Sequence, residues 1–575
     1  MVATPIKTKN RLTTQVEAIA SDTIAIRSLD WDRDRFDIEF GLQNGTTYNS
    51  YLIQGEKTAL VDTSHAKFRQ LYFEALNQLI DPKTIDYLII SHTEPDHSGL
   101  VKDLIELNPD LVVVGSKVAL QFLEGFVHTD FKQQVVKNGD RLDIGNGHVF
   151  EFVNAPNLHW PDTIFSYDHG TEVLFTCDAF GMHYCSDALY DEDLKAIEPD
   201  YRFYYDCLMG PNARSVISAM KRMEPLGEIS LVANGHGPLL KYNRQELLER
   251  YRSWSQAQTK GEKTVAIFYV SDYGYGDRLS QAIAKGIAKT DVAVEMIDLR
   301  AAEAHELTEL VSRATGIVIG MPPLTSNYQQ EIINNIGTIL ATANNQQLIG
   351  MYESYGGDDE PIDPLLSKFL AVGLNQAFPS IRIKDTPHAM TYQLCEESGT
   401  DLGQLITQKS NIKQRKSLDN ELNKAMGRLS GGLYLITAKK GENTGAMLAS
   451  WVNQASFEPP GFSVAVAKDR AIESLMQVHD AFVLNILEEE NYQSLMKHFL
   501  KRFPPGADRF AGVKTQTAEN GSPILTEALA YLECEVVSRM ECSDHWIVYS
   551  KVSTGRVSHP DALTAVHHRK VGNYY

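Results

Sequence analysis

Residues 86–99 read DYLIISHTEPDHSG. The run from Asp86 to Ile90 has the apolar, β-rich character of a buried strand. It ends directly in Ser91-His92-Thr93-Glu94-Pro95-Asp96-His97. Four groups able to bind a metal, His92, Glu94, Asp96 and His97, therefore fall within six residues at a strand end. Crowding two carboxylates and two imidazoles in such a place is costly unless a cation compensates them. A strand whose carboxyl end delivers functional groups into a loop is the usual layout of α/β and layered β enzymes.

The same layout recurs along the first part of the chain. His159 lies in PNLHWPDT after the run HVFEFVNAP, Asp178 ends the strand EVLFTCD (172–178), and His236 follows ISLVAN in ISLVANGHG (229–237). The set is then His92, Glu94, Asp96, His97, His159, Asp178 and His236. Seven ligands exceed the needs of one tetrahedral ion, so the reading is two metals bridged by Asp178. Further strand-like runs are TTYNSYLIQ (46–54) and TALVDTS (58–64), and KFRQLYFEALNQLI (67–80) and RQELLERYRSWSQAQ (244–258) read as helices. His65, His128, His148 and His169 read as surface or loop residues. His183, in FGMHYCS, is a candidate neighbour of the metal site, and Tyr184, Cys185 and Cys207 are expected to pack around it.

A second region begins near Thr264. It alternates strand TVAIFYVS (264–271), helix RLSQAIAKGIAK (278–289), strand AVEMIDL (293–299), helix, strand ATGIVIGMP (314–322), helix, and strand QQLIGMYESYGG (346–357). That alternation predicts a doubly wound parallel sheet. The loops at its strand ends are Ser271-Asp272-Tyr273-Gly274-Tyr275-Gly276, MPPLTSNY (321–328) and ESYGGDDE (353–360). A polar, locally basic stretch follows, TQKSNIKQRKSLDN (407–420), which reads as a linker or a surface helix. The last region, from about Met426 to Tyr575, is rich in short strands and predicts a β-barrel.

Composition sets outer limits. The 575 residues are too many for one core at roughly 100–200 residues per domain. The chain carries 74 acidic against 54 basic side chains, a net charge of −20, which argues against a general nucleic-acid binder. No apolar run approaches the ~20 residues needed to span a bilayer, and the N-terminus lacks a signal-peptide core. Six cysteines without a CxxC pair form no disulfide framework. The expectation is a soluble, multidomain, cytoplasmic protein.

The metal cluster resembles the metallo-β-lactamase-like fold, whose hydrolytic members carry an HxHxDH motif. Here Glu94 replaces the second His, exchanging a borderline nitrogen ligand for a hard oxygen, and the resulting donor set suits iron better than zinc. HxExDH with a later His, Asp and His matches the flavodiiron proteins at every metal position. The three loops of the second region resemble the FMN cradle of flavodoxins. That resemblance assigns Ser271 to Gly276 to the phosphate, Pro322, Pro323, Leu324, Thr325 and Asn327 to the loop beside the flavin ring, and Ser354, Tyr355, Gly356 and Gly357 to the third loop. Tyr273 and Gly276 stand where the family has hydroxyl residues, Asp277 adds negative charge, and Asp358 stands where an aromatic would stack.

TGAMLASWVNQASFEPPGFSVAVAKDR (444–470) and SDHWIVYSKV (543–552) resemble the flavin reductase family, a split β-barrel that binds FMN or FAD and accepts hydride from NAD(P)H. In that family the positions of Ala449, Ser450, Trp451, Gln454 and Ser456 approach the flavin, and basic residues such as Lys468 and Arg470 can reach phosphate. Lys551 stands where related chains often have Gly.

The expected architecture is therefore a metallo-β-lactamase-like αββα sandwich over 1–260, a flavodoxin-like domain over 261–405, a linker at 406–425 and a flavin-reductase-like split barrel over 426–575. The combination resembles three-domain flavodiiron proteins of oxygenic phototrophs, in the form with an intact iron-ligand set. The resemblance implies that electrons from NAD(P)H, or from ferredoxin, pass through two flavins to two irons that reduce O2 to water. It also implies a head-to-tail homodimer or a hetero-oligomer with a paralogue. Reduction of nitric oxide to nitrous oxide is the alternative at the same site. A di-zinc hydrolase fused to redox domains is disfavoured by Glu94, and an inactive redox subunit by the complete ligand set. The basic segment Lys409 to Lys416 is the one locally positive candidate for docking an acidic donor, with a solvated linker as the other reading.

Overall fold

Successive residues of the central strands serve two different cores, and that alternation builds the first region. Leu52, Leu60, Leu88 and Val113 pack with helix residues Phe68, Tyr72, Leu104 and Leu120. Their neighbours Tyr51, Ile53, Ala59, Val61, Ile89 and Val114 pack with Phe150, Phe152, Val173 and Ala233 of a second sheet. A period of two on a strand buried on both faces gives this outcome. The structure is a computed structural model that describes all residues except 1–10, 34, 37–39, 262, 271–275, 301, 303, 322–328, 354–361, 384–385, 418–420 and 569–575. Contacts divide the chain into two compact units, the first built chiefly of residues 42–262 and the second of residues 263–293 and 299–575.

In the first unit a seven-stranded sheet runs in the order Leu12–Ala20, Thr23–Asp30, Thr46–Gln54, Thr58–Val61, Tyr87–Ile89, Val112–Gly115 and Lys132–Val135. Its first four strands are antiparallel neighbours and the rest are parallel. The second sheet runs Arg141–Gly145, His148–Asn154, Ile164–Asp168, Val173–Cys177 and Leu231–Asn234. The helices Arg69–Leu79, Val101–Leu107 and Lys117–Val127 cover the outer face of the first sheet. This is the metallo-β-lactamase-like αββα sandwich. The two sheets pack face to face through the second of these cores, and the Ile164 amide, opening its strand, donates to the Ser91 carbonyl over 2.8 Å.

Residues 263–575 hold two folds. A flavodoxin-like sheet has the order Ala293–Asp298, Thr264–Tyr269, Gly316–Met321, Leu348–Glu353 and Asn375–Gln376, with Ile381–Arg382 also paired to Leu348–Glu353. The order 2-1-3-4-5 is that of flavodoxin. A seven-stranded antiparallel sheet then coils into the barrel, in the order Asn443–Ala449, Tyr434–Lys440, Ala481–Ile486, Ala530–Cys542, His545–Val557, Pro460–Ala467 and Val452–Phe457. Ile436, Phe462, Val464, Phe482 and Val536 fill it. Residues 406–417 of the expected linker continue the helix Ala389–Ser417 without a break, and Glu421–Met426 is helical too. Among the described residues no helix is long and apolar enough to cross a membrane.

Candidate metal centre

Strand ends deliver the ligands. After Tyr87–Ile89 the chain crosses Ser91 to Glu94 and enters the short helix Pro95–Ser98, so His92 and Glu94 come from the loop, and Asp96 and His97 from the helix. Asp178 follows Val173–Cys177, and His236 lies just beyond Leu231–Asn234. His159 sits in the connection between His148–Asn154 and Ile164–Asp168.

The seven side chains converge. Asp178 lies at the centre, and its two oxygens face different partners. Oδ2 is 3.0 Å from His159 Nε2 and 3.4 Å from His92 Nε2, while Oδ1 is 3.0 Å from His97 Nε2 and 3.3 Å from His236 Nε2. Glu94 completes the first group, with Oε2 2.9 Å from His159 Nε2 and 3.4 Å from His92 Nε2. Asp96 completes the second, with Oδ2 3.3 Å from His236 Nε2 and Oδ1 3.6 Å from His97 Nε2. His92, Glu94, His159 and Asp178 place their ligand atoms within 4.8 Å of one another, as do Asp96, His97 and His236. Cys177, whose position no strand-end argument had singled out, joins His92, His97 and Asp178 in a third such group.

The charges are arranged as a cation would require. Burial alone would raise Asp178, yet His92, His159 and His236 around it hold its carboxyl well below the usual range. Burial opposes the protonation of His159 and His236, but the carboxylates prevail and push both imidazoles up to about 10. Protons on buried imidazoles thus balance the carboxylates, and a metal ion would displace them. His97 Nε2 and His236 Nε2 face each other over 3.0 Å. The Nδ1–H of His236 donates to the Thr47 carbonyl over 2.6 Å, which leaves Nε2 as the ligand atom. Asp96 Oδ1 and Asp178 Oδ1 are buried without a hydrogen-bond donor of their own. Oxygen and nitrogen donors in this proportion fit a pair of hard-to-borderline divalent ions.

Several supporting residues went unrecognised in the sequence. Asp62, which ends the strand Thr58–Val61, accepts the Ser91 amide over 2.7 Å and sets the start of the ligand loop. Asp162 accepts both the Thr93 amide (2.9 Å) and the Thr93 hydroxyl (2.7 Å), pinning the residue between His92 and Glu94. The strand-end position of Asp62 was the available signal, whereas Asp162 in a WPDT loop carried none. His183 lies where expected beside the site, with Nδ1 2.7 Å from the Thr46 hydroxyl and its ring 4.5 Å from that of His236. Tyr204 packs on it, ring to ring at 4.9 Å. His148 is not a surface residue: it is buried, with Nδ1 2.7 Å from Asp168, because its strand lies inside the second sheet. Truncating Asp162 to Ala should weaken metal binding by about tenfold to a hundredfold with the ligands intact. Titration against a competing chelator measures this, and unchanged affinity would show that the Thr93 loop is held by other contacts.

Of the expected flavin contacts in the second region, Ser271, Asp272, Tyr273, Gly274, Tyr275, Pro322, Pro323, Leu324, Thr325, Asn327, Ser354, Tyr355, Gly356 and Gly357 lie outside the described residues. Gly276 opens the helix Gly276–Ala288, and its carbonyl accepts the Tyr352 hydroxyl over 2.9 Å. In the barrel, Ala449 ends a strand, and the buried Ser450 hydroxyl has no hydrogen-bond partner. Trp451 packs on His545 with ring centroids 5.1 Å apart. Gln454 is exposed on the strand Val452–Phe457, where the Ser456 hydroxyl reaches the Pro459 carbonyl (2.7 Å) and Tyr549 (2.9 Å). Lys468 is engaged with Glu541 at 2.5 Å and lies over the Trp546 ring, so it is not a free cation for phosphate.

Comparison with known proteins gives a consistent result. Residues 426–574 match the flavin reductase like domain, and residues 46–237 match the ODP family beta lactamase. The chain is 71% identical over 575 residues to diflavin flavoprotein A 1 of Synechocystis sp., covering all of both chains. It is 69% identical over 576 residues to diflavin flavoprotein A 3 of Nostoc sp., again covering both in full. Among solved structures, the metal-soaked Flv1 flavodiiron core from Synechocystis sp. PCC6803 superposes with a TM-score of 0.64 at 37% identity, covering 69% of this chain and 99% of that one.

Proposed function

The chain belongs to the flavodiiron family, in its diflavin flavoprotein branch with a C-terminal flavin reductase domain, and from that membership we propose that it passes electrons from NAD(P)H through two flavins to a di-iron centre that reduces O2 to water. The observation that carries the reading is Asp178, whose two oxygens each face a separate group of ligands. His92, Glu94 and His159 would hold one iron and Asp96, His97 and His236 the other, with Asp178 shared. When bound, the pair supplies two adjacent one-electron centres, and the flavins supply the conversion from the two-electron hydride of NAD(P)H. The flavodoxin-like domain would take FMN and the barrel FMN or FAD.

The chain's own residues prepare that chemistry. His92 and His97 are wholly buried, whereas the Glu94 and Asp96 side chains keep 12% and 20% of their surface, so those carboxylates form the side from which a small gas arrives. Glu94 also places a third carboxylate in the set, which favours iron over the zinc of a hydrolase. Thr47, Asp62 and Asp162 fix ring and loop orientations before any metal binds. A cytoplasmic location and a head-to-tail dimer or a hetero-oligomer with a paralogue complete the proposal.

Anaerobic reduction by NADPH or NADH, followed by separate pulses of O2 and NO, tests it. The expected result is about two irons per chain, stoichiometric O2 consumption without peroxide release, and slower reaction with NO. Zinc in place of iron together with no O2 uptake would overturn it, and faster turnover with NO would reassign the substrate.

A further inference from the structure

Glu473 lies on the 3-10 turn Ala471–Leu475 of the barrel and is 5% exposed. Its Oε1 faces the guanidinium of Arg539, from the barrel strand Ala530–Cys542, and its Oε2 lies 2.5 Å from Lys289 Nζ. Lys289 follows the helix Gly276–Ala288 of the flavodoxin-like domain and also meets Glu396. Lys285, one turn earlier, is 2.8 Å from Glu396. Arg539, Glu473, Lys289, Glu396 and Lys285 thus form a chain of alternating charge that crosses from one fold to the other. Each charge of the chain has an opposite neighbour in this arrangement, and the Lys289–Glu473 pair joins the two folds directly.

The helix Ala389–Ser417 makes a second, independent set of contacts. One stripe of it holds Glu397, Asp401 and Gln404, at the i, i+4 and i+7 positions that share a helix face. Glu397 accepts Arg509 at 2.9 Å and the Gly506 amide at 3.1 Å, Asp401 lies 2.8 Å from Arg502, and Gln404 donates to Asp469, all four partners being barrel residues. Another stripe holds Cys395, Gly399, Leu402 and Ile406. A Cβ on Gly399 would lie 2.0 Å from the Ile283 carbonyl, and one on Gly316 would touch Leu402 and Ile406 at 3.3 Å. The helix therefore has one face in the flavodoxin-like domain and another on the barrel.

We infer that the reductase-like barrel is docked as one body on the flavodoxin-like domain, through the outer stripe of the helix Ala389–Ser417 and the buried charge chain centred on Glu473. The helix Ala389–Ser417 is then an element shared by both folds, and the two flavin-binding folds keep a fixed relation within the chain. The inference stands apart from the redox reading.

Inserting a site-specific protease sequence at 418–420 of the full chain, cleaving the folded protein and passing it over a sizing column tests this. Cleaved wild type is expected to co-elute with the uncleaved protein, and Glu473→Lys, which turns a like charge toward Arg539 and Lys289, to release the C-terminal fragment. Should Glu473→Lys not fold, Arg502→Glu at the half-exposed edge serves in its place. It is expected to speed amide exchange over 396–404 by about tenfold or more, the loss of one ion pair among several. Separation of the cleaved wild type overturns the inference. So does co-elution of every foldable variant with unchanged exchange. No flavin, metal or turnover enters the measurement, so its failure and that of the oxidase reading are distinguishable.

Discussion

Asp178→Ala should leave the protein unable to consume oxygen, with at most one metal per chain, while NAD(P)H still bleaches its flavin absorbance. The expectation follows from the position of this carboxylate among four imidazoles, two on each oxygen. Removing one partner from a buried charge cluster typically costs about 3–5 kcal/mol. At about 1.4 kcal/mol per factor of ten, a loss of that size in metal binding would be roughly a hundredfold to several thousandfold. Both ligand groups lose a donor at once, so occupancy by two metals suffers twice. Asp178→Asn keeps the shape but loses the charge, and its amide nitrogen would point a donor at a pair of imidazoles, so it should be nearly as damaging. Elemental analysis and an oxygen electrode give the readouts. Full iron content with normal oxygen uptake in either variant would remove Asp178 from the centre of the mechanism.

Gly286→Ala should destabilise the second unit, against the trend of helix propensity. In a helix interior Ala is favoured over Gly by about 1 kcal/mol. At Gly286, however, an added Cβ would lie 1.9 Å from the Glu396 carbonyl oxygen and 2.8 Å from the Thr400 amide nitrogen. Both neighbours are backbone, so the helices Gly276–Ala288 and Ala389–Ser417 must part for the methyl to fit. Overpacking of this kind costs about 1–3 kcal/mol and occasionally more, so it outweighs propensity. The helix Gln329–Thr342 supplies the control: a Cβ on Gly337 meets nothing within 4 Å, and Gly337→Ala should stabilise by about 1 kcal/mol. Urea unfolding of the two variants should give opposite signs. The same sign in both would mean that the close crossing does not control stability.

The ligand set was legible because each member stands at the carboxyl end of an apolar run, and strand ends are where such folds expose functional groups. The alternation of strand and helix from Thr264 onward was legible for a similar reason, since a period of two giving way to 3.6 survives without tertiary information. Asp162 was not readable: a carboxylate in a loop looks the same whether it caps Thr93 or faces water. Thr47 acts on His236 through its carbonyl, which no side-chain pattern reports. His148 misled because a histidine opening a strand is ordinarily exposed, and only its pairing with Asp168 justifies burial. The charge chain through Glu473 joins residues 254 positions apart at its ends, Lys285 and Arg539, and local periodicity carries no trace of such a meeting. The stretch 407–420 is polar, and polarity alone did not separate a helix end from a tether, although the helix runs to Ser417.

The seven converging groups are contributed by both halves of the αββα sandwich, four beside the first sheet and three from the second. Metal bound there would rivet the sandwich across its open edge. Iron supply thereby becomes a term in the lifetime of the polypeptide as well as in its catalysis. A chain made during iron scarcity should close its sheets yet keep a looser seam, and proteolysis should clear it ahead of loaded copies. The pool of protein would then follow the pool of metal, with no dedicated sensor needed to match the two.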